Sequence, residues 1–187
     1  MRSLSKLQKN ALLTFGIYML VLIWVIGLKC NMEFSIFMSK LSMGQMSLAE
    51  RAEWSFCHMR FNEDGPMFSA ASIEDMLANI ALFLPVGMLL PLIFDNKKYL
   101  LVPIFGFGLS LFFEISQFFN TIGGFAYIDL ITNTLGAIIG ALLTYIIMKL
   151  ISERAANITL GIFSVLFGII AIYGTVSTII NIEIYYV

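Results

Sequence analysis

The stretch YLLVPIFGFGLSLFFEISQFF, Tyr99 to Phe119, is apolar enough to cross a bilayer and carries one carboxylic acid, Glu114. At 100° per residue, Ser110, Glu114 and Gln117 fall within about 60° of one another, so a hydroxyl, a carboxyl and an amide share one helical face. An ionised residue at mid-bilayer carries a penalty of about 2.5–3.5 kcal/mol on insertion scales, which makes an intramembrane Glu a candidate functional residue by default.

Outward from this stretch, the whole chain is biased the same way. Its 187 residues are 59% hydrophobic and 12% charged, with a mean hydropathy of +0.91. Soluble domains are about one-quarter charged, so this composition marks an integral membrane protein. Apolar segments near the ~20 residues needed to span about 30 Å of hydrocarbon are Ala11 to Leu28, Met76 to Phe94, Tyr99 to Phe119, Leu130 to Leu150 and Ile158 to Ile180. The expected fold is all-α, with five transmembrane helices in one domain over residues 1–187 and neither an internal repeat nor a low-complexity linker. Thr132, Asn133 and Thr134 make the start of the fourth segment the least apolar. Pro85 and Pro91 in the second predict a kink, tolerated where neighbouring groups satisfy the freed carbonyls.

Lys and Arg placement sets the expected orientation. Arg2, Lys6 and Lys9 precede the first helix, Lys97 and Lys98 follow the second, and Lys149 and Arg154 flank the fourth connection. Asn120 to Asp129 and the tail from Asn181 hold neither Lys nor Arg. The N-terminus is therefore expected inside and the C-terminus outside. The first connection, residues 29–75, becomes a long external loop, in which Lys29, Lys40, Arg51 and Arg60 are outnumbered by acids. No A-x-A pattern follows the first helix, which is expected to stay as an uncleaved anchor.

Cys30 and Cys57 both fall in the external loop, where an oxidising setting permits a disulfide; free thiols are the alternative. A metal site from these cysteines and His58 lacks the C-x-x-C type of spacing, and neither metal nor cofactor is expected. Ser47 and Glu50 form a capping-box pattern that can open a short helix in the same loop. The interior segments bring Asn79, Glu114, Gln117, Asp129 and Asn133 to the outer leaflet if the orientation holds. Glu114 then sits roughly 7–8 Å below the outer end of its helix. Asn133, Gly136 and Gly140 share a face with Asp129, and Gly136-x-x-x-Gly140 permits close helix packing without any chemistry. With no Lys or Arg in the apolar spans, Glu114 is either protonated or solvated in an externally open cavity; Arg60 is a conceivable partner from the loop. The sequence has no catalytic-triad order, no H-E-x-x-H and no phosphate loop, and leaves open whether the protein is an enzyme.

Three ordered motifs then suggest a family. Asn79-Ile-Ala-Leu-Phe-Leu-Pro85-Val-Gly87, Ser110-Leu-Phe-Phe-Glu114-Ile-Ser-Gln117 and Asp129-Leu-Ile-Thr-Asn133-Thr-Leu-Gly136-Ala-Ile-Ile-Gly140 closely resemble the VanZ-like family, over a motif core of residues 79–140. Members often carry an external N-x-x-P-F element, of which Asn62, Pro66 and Phe68 look like an expanded version, and an acid where this chain has Ala126. The resemblance implies a multi-pass protein of the bacterial plasma membrane, in a family named for low-level resistance to teicoplanin, a lipoglycopeptide antibiotic. It also implies that Asn79, Ser110, Glu114, Gln117, Asp129, Asn133 and Arg60 bind a ligand while Pro85, Gly87, Gly136 and Gly140 pack helices. The expected partner is a membrane lipid or lipid-linked cell-wall component, with no nucleic acid. Four functions compete: binding or remodelling an amphiphilic surface component, acid–base catalysis on a lipid-linked envelope substrate by Glu114 and Asp129, transport, and a purely structural partner role.

Overall fold

A computed structural model describes residues 4–27, 70–94, 101–120 and 126–186. Cys30, Cys57, His58, Arg60, Asn62, Pro66, Phe68 and the capping-box segment lie outside these residues. The described chain is all helical, without strands: α1 (Lys6–Leu22), a π turn (Ile23–Gly27), α2 (Ala70–Ile93), α3 (Leu101–Asn120), α4 (Tyr127–Leu150) and α5 (Glu153–Tyr186). Among the described residues, four helices are long and apolar enough to cross a membrane, and Leu101–Gln117 is a shorter apolar one.

Local chemistry explains where several helices begin. Ser5 Oγ accepts from the Gln8 N–H while Gln8 Oε1 accepts from the Ser5 N–H, a reciprocal cap that satisfies two donors at the first turn of α1. Ser152 Oγ accepts from the Ala155 N–H at 3.2 Å, so α5 starts at Glu153, before its apolar span. Helix α4 reaches back to Tyr127 through Thr132 and Thr134, because Thr132 Oγ1 donates to the Ile128 carbonyl at 2.8 Å and Thr134 Oγ1 to that of Leu130 at 2.6 Å. Those hydroxyls are satisfied within their own helix.

Cross-helix contacts define the directions. Asn10 meets Asn157, Thr14 meets Ser164 and the Trp24 ring meets Tyr173, so α1 and α5 run parallel. Gly136 lies on Ile80 and Thr144 bonds to Met88, so α2 and α4 are also parallel. Ser110 pairs with Asn133 and Gly106 with Ala137, making α3 antiparallel to α4; Tyr18 reaches Leu82 and Gln8 reaches Ile93, making α1 antiparallel to α2. Direction thus alternates along the chain.

The α2–α4 seam is the closest. A Cβ on Gly87 would land on the Ala137 carbonyl, one on Gly136 on the Ile80 carbonyl, and one on Gly140 on the Leu84 carbonyl. Only residues without side chains let the two backbones approach this far. Pro85 and Pro91 remove the donors that would pair with the Ala81 and Gly87 carbonyls. Hydroxyls from neighbouring helices serve the adjoining carbonyls: Tyr18 Oη donates to Leu82 at 2.6 Å and Thr144 Oγ1 to Met88 at 2.8 Å.

The core lies mainly among α1 to α4, around Leu22, Phe83, Val86, Leu90, Val102 and Ala137, with Ala171 of α5 joining it. In α4, 44% of the most apolar window is buried, against 17% in α5; α4 is therefore the central helix and α5 the peripheral one. Helix α5 leaves Ile162, Val165, Ile169 and Ile172 exposed, the outward apolar face that a bilayer solvates. Between α2, α4 and α5 lies an apolar cavity of about 310 Å³, which includes Pro85, Met88, Thr144, Leu160 and Phe163 in its wall.

Candidate functional site

The polar stripe of α3 faces the protein interior. Ser110, Glu114 and Gln117 are all buried, Glu114 with 2% of its surface exposed. Glu114 and Ser110 are engaged by α4 and its start, Gln117 by the π turn after α1. Glu114 Oε2 accepts from the backbone N–H of Ala126 at 2.8 Å, immediately before α4, where Ala126 provides no side-chain cap of its own. The carboxyl therefore caps α4 from across the α3–α4 junction, meeting one of the four N–H groups that a helix start leaves unpaired. Gln117 Nε2 donates to the Ile26 carbonyl at 2.8 Å, tying α3 to the π turn that ends α1. Ser110 Oγ accepts from Asn133 Nδ2 at 2.9 Å.

Asn133 itself is buried, and its Oδ1 atom has no hydrogen-bond partner. A buried carbonyl oxygen left without a donor is disfavoured by about 1–3 kcal/mol, so this acceptor is where an additional donor group would be most favourably received. Asp129 is half-buried in the first turn of α4, three residues beyond Ala126. Asn79 is half-buried on α2 beside Ile80, the residue that Gly136 packs against. The later half of α3, the start of α4 and the end of α1 thus carry these buried polar side chains, while Asn79 on α2 and Asp129 are less buried. Arg60 is outside the described residues. Among the described residues, no group of three or more His, Cys, Asp or Glu side chains is gathered as metal ligands would be.

Two residues at other depths were not anticipated from the sequence: Tyr18 and Thr144, whose hydroxyls serve α2 carbonyls. The two prolines are a partial signal: the carbonyls they free are those of Ala81 and Gly87, and the hydroxyls serve the neighbouring carbonyls of Leu82 and Met88. What pattern alone lacks is which neighbour lies at the right depth.

A helical bundle of this kind, apolar on its outside and polar at one end of its interior, is the class of a polytopic membrane protein. The chain belongs to the VanZ/LLP1 family, whose model matches residues 15–149, from α1 to the end of α4. It is 36% identical over 83 residues to protein VanZ of Enterococcus faecium, an alignment that covers 44% of this chain and 52% of that protein. The match thus spans about half the length of that curated relative. No solved structure matches the chain.

Proposed function

We propose that this protein is a five-span protein of the bacterial plasma membrane that lowers the effect of lipoglycopeptides such as teicoplanin by binding or remodelling an amphiphilic component of the outer leaflet. The observation that carries this reading is the buried cluster of Ser110, Glu114, Gln117 and Asn133 at the α3–α4 end of the bundle. Membership of the VanZ/LLP1 family supports the context. In this reading Glu114 and Asn133 form the centre, and Asn79 and Asp129 orient the ligand from the rim. Expression in a susceptible Gram-positive host tests it: the inhibitory concentration of teicoplanin is expected to rise several-fold. No change, with the protein verified in the membrane, would overturn the reading.

A second reading, a membrane enzyme acting on a lipid-linked envelope substrate, is favoured by one contact. The Glu114 carboxyl reaches the turn that leads into Asp129, bringing two carboxylic acids to one junction where acid and base roles can be divided. Glu114→Gln and Asp129→Asn keep shape and remove titration. Full protection by both variants would exclude acid–base catalysis.

A further inference from the structure

The opposite end of the bundle carries a different arrangement. Because α1 and α5 run parallel, their first turns lie side by side, and a pocket of about 580 Å³ opens between them, lined by Lys6, Asn10, Glu153, Arg154, Asn157 and Ile158. Its floor is braced: Asn10 Nδ2 donates to Asn157 Oδ1 at 2.7 Å, and Asn157 Nδ2 donates to the Glu153 carbonyl at 2.9 Å. Two cations face one carboxylate, so the pocket is net positive. It also lies beside the start of α5, where the positive end of the helix dipole adds to the potential.

A separate, largely apolar surface strip runs along α1 beyond Lys6. Lys6, Leu13 and Ile17 lie within about 40° on one helical face, and Ile17 is about 16 Å further along the axis at the standard rise. Lys9, Leu13, Gly16 and Ile17 line a shallow groove of about 460 Å³ there. Nothing lies within 4 Å of where a Cβ would stand on Gly16, nor on Gly161 of α5. A cationic pocket with an apolar strip on the same helix beyond it matches a molecule with an anionic head and an acyl tail. Basic pockets between membrane helices take anionic lipid headgroups by this geometry.

We infer that the pocket between the starts of α1 and α5 is a binding site for an anionic phospholipid, with its phosphate held by Lys6 and Arg154 and an acyl chain lying along the outer face of α1 over Leu13, Gly16 and Ile17. The site is at the far end of the bundle from Glu114 and does not depend on the function proposed for that cluster. Each cation near a charged headgroup contributes close to a fivefold change in affinity, and about 25-fold for two.

The test uses full-length protein in mixed micelles titrated with phosphatidylglycerol or phosphatidylcholine, with bound lipid counted by native mass spectrometry. Phosphatidylglycerol is expected to bind preferentially, Lys6→Gln and Arg154→Gln each to weaken it about fivefold, and the double variant about 25-fold. Lys149→Gln, at the same end but held over the Tyr145 ring of α4, is expected to leave binding unchanged. The charge-preserving pair Lys6→Arg with Arg154→Lys is expected to keep affinity, which separates lost charge from lost folding. Equal binding of the two lipids, wild-type affinity in the double Gln variant, or loss in the charge-preserving pair would overturn the site. Displacement of the lipid by equimolar glycerol phosphate would overturn the acyl-chain half of it, since the pocket would then be a site for free phosphate.

Discussion

At the scale of the residue, Glu114 has two separable roles, because its carboxyl both occupies a buried polar cluster and accepts the Ala126 N–H before α4. Glu114→Gln retains an acceptor oxygen of the same reach, so the start of α4 keeps its cap. Glu114→Ala leaves that N–H without its partner, a loss of about 1–3 kcal/mol for a buried donor. Reversible unfolding in detergent is therefore expected to show the Gln variant near wild type and the Ala variant destabilised by that amount. If the charge serves the proposed function, the Gln variant loses teicoplanin protection while remaining folded; equal destabilisation of both variants would mean that the cap is not what holds α4. The stripe of Ser110, Glu114 and Gln117 was legible in the sequence because α3 is a regular helix and 100° per residue holds throughout it. Their partners were not. Ala126 and Ile26 contribute backbone groups, which leave no trace in side-chain pattern, and Ile26 lies in a π turn whose spacing departs from the period used to read the rest.

At the scale of the element, the α2–α4 seam divides the glycines into two sets with opposite expected behaviour. Gly136→Ala and Gly140→Ala drive a methyl into the backbone carbonyls of Ile80 and Leu84, and no rotamer change relieves a clash with backbone. Overpacking of this kind is disfavoured by about 1–3 kcal/mol or more. Gly161→Ala and Gly168→Ala, where nothing lies within 4 Å of the new Cβ, are expected to be neutral or to gain up to about 1 kcal/mol of helix propensity. Unfolding midpoints of the four variants check this: a seam variant as stable as a Gly161 or Gly168 variant would show that α2 and α4 do not pack this closely. The small-residue spacing in α4 was readable, but its partner helix was not. In a membrane bundle the lipid-facing and core-facing sides are both apolar, so hydrophobic periodicity loses the contrast that orients helices in soluble proteins. Only polar and small residues then mark the inner face. Five apolar segments were visible for the same reason that their faces were not: hydropathy reports length, and α5 extends beyond its apolar span because the Ser152 cap begins the helix in polar sequence.

At the scale of the whole molecule, the bundle is electrostatically lopsided, and the function proposed for Glu114 depends on which end faces out. Contacts of Gln8 with Ile93 and of Asn10 with Asn157 gather the starts of α1 and α5 and the end of α2, and the two-residue link between α4 and α5 adds the end of α4. Lys6, Lys9, Lys149 and Arg154 therefore lie at one end, while Glu114 and Asp129 lie towards the other. Cytoplasmic loops carry the excess of Lys and Arg, so the basic end is expected inside and the polar cluster in the outer leaflet. Helix α5, with 34 residues, is about 51 Å long at the standard rise and exceeds the ~30 Å hydrocarbon thickness, so its length alone does not place either terminus. Single cysteines can decide the side. In a background with Cys30→Ser and Cys57→Ser, Tyr127→Cys at the start of α4 is expected to react with an impermeant maleimide on intact cells. Ser152→Cys, in the link between α4 and α5, is expected to react only after permeabilisation. The reverse pattern would turn the bundle over and put Glu114 in the inner leaflet, where an externally added lipoglycopeptide does not reach; the resistance reading would then fall even with every intramolecular contact intact. Labelling of both positions from outside would instead mean that α4 does not cross the membrane, because Tyr127 begins it and Ser152 lies just beyond its other end.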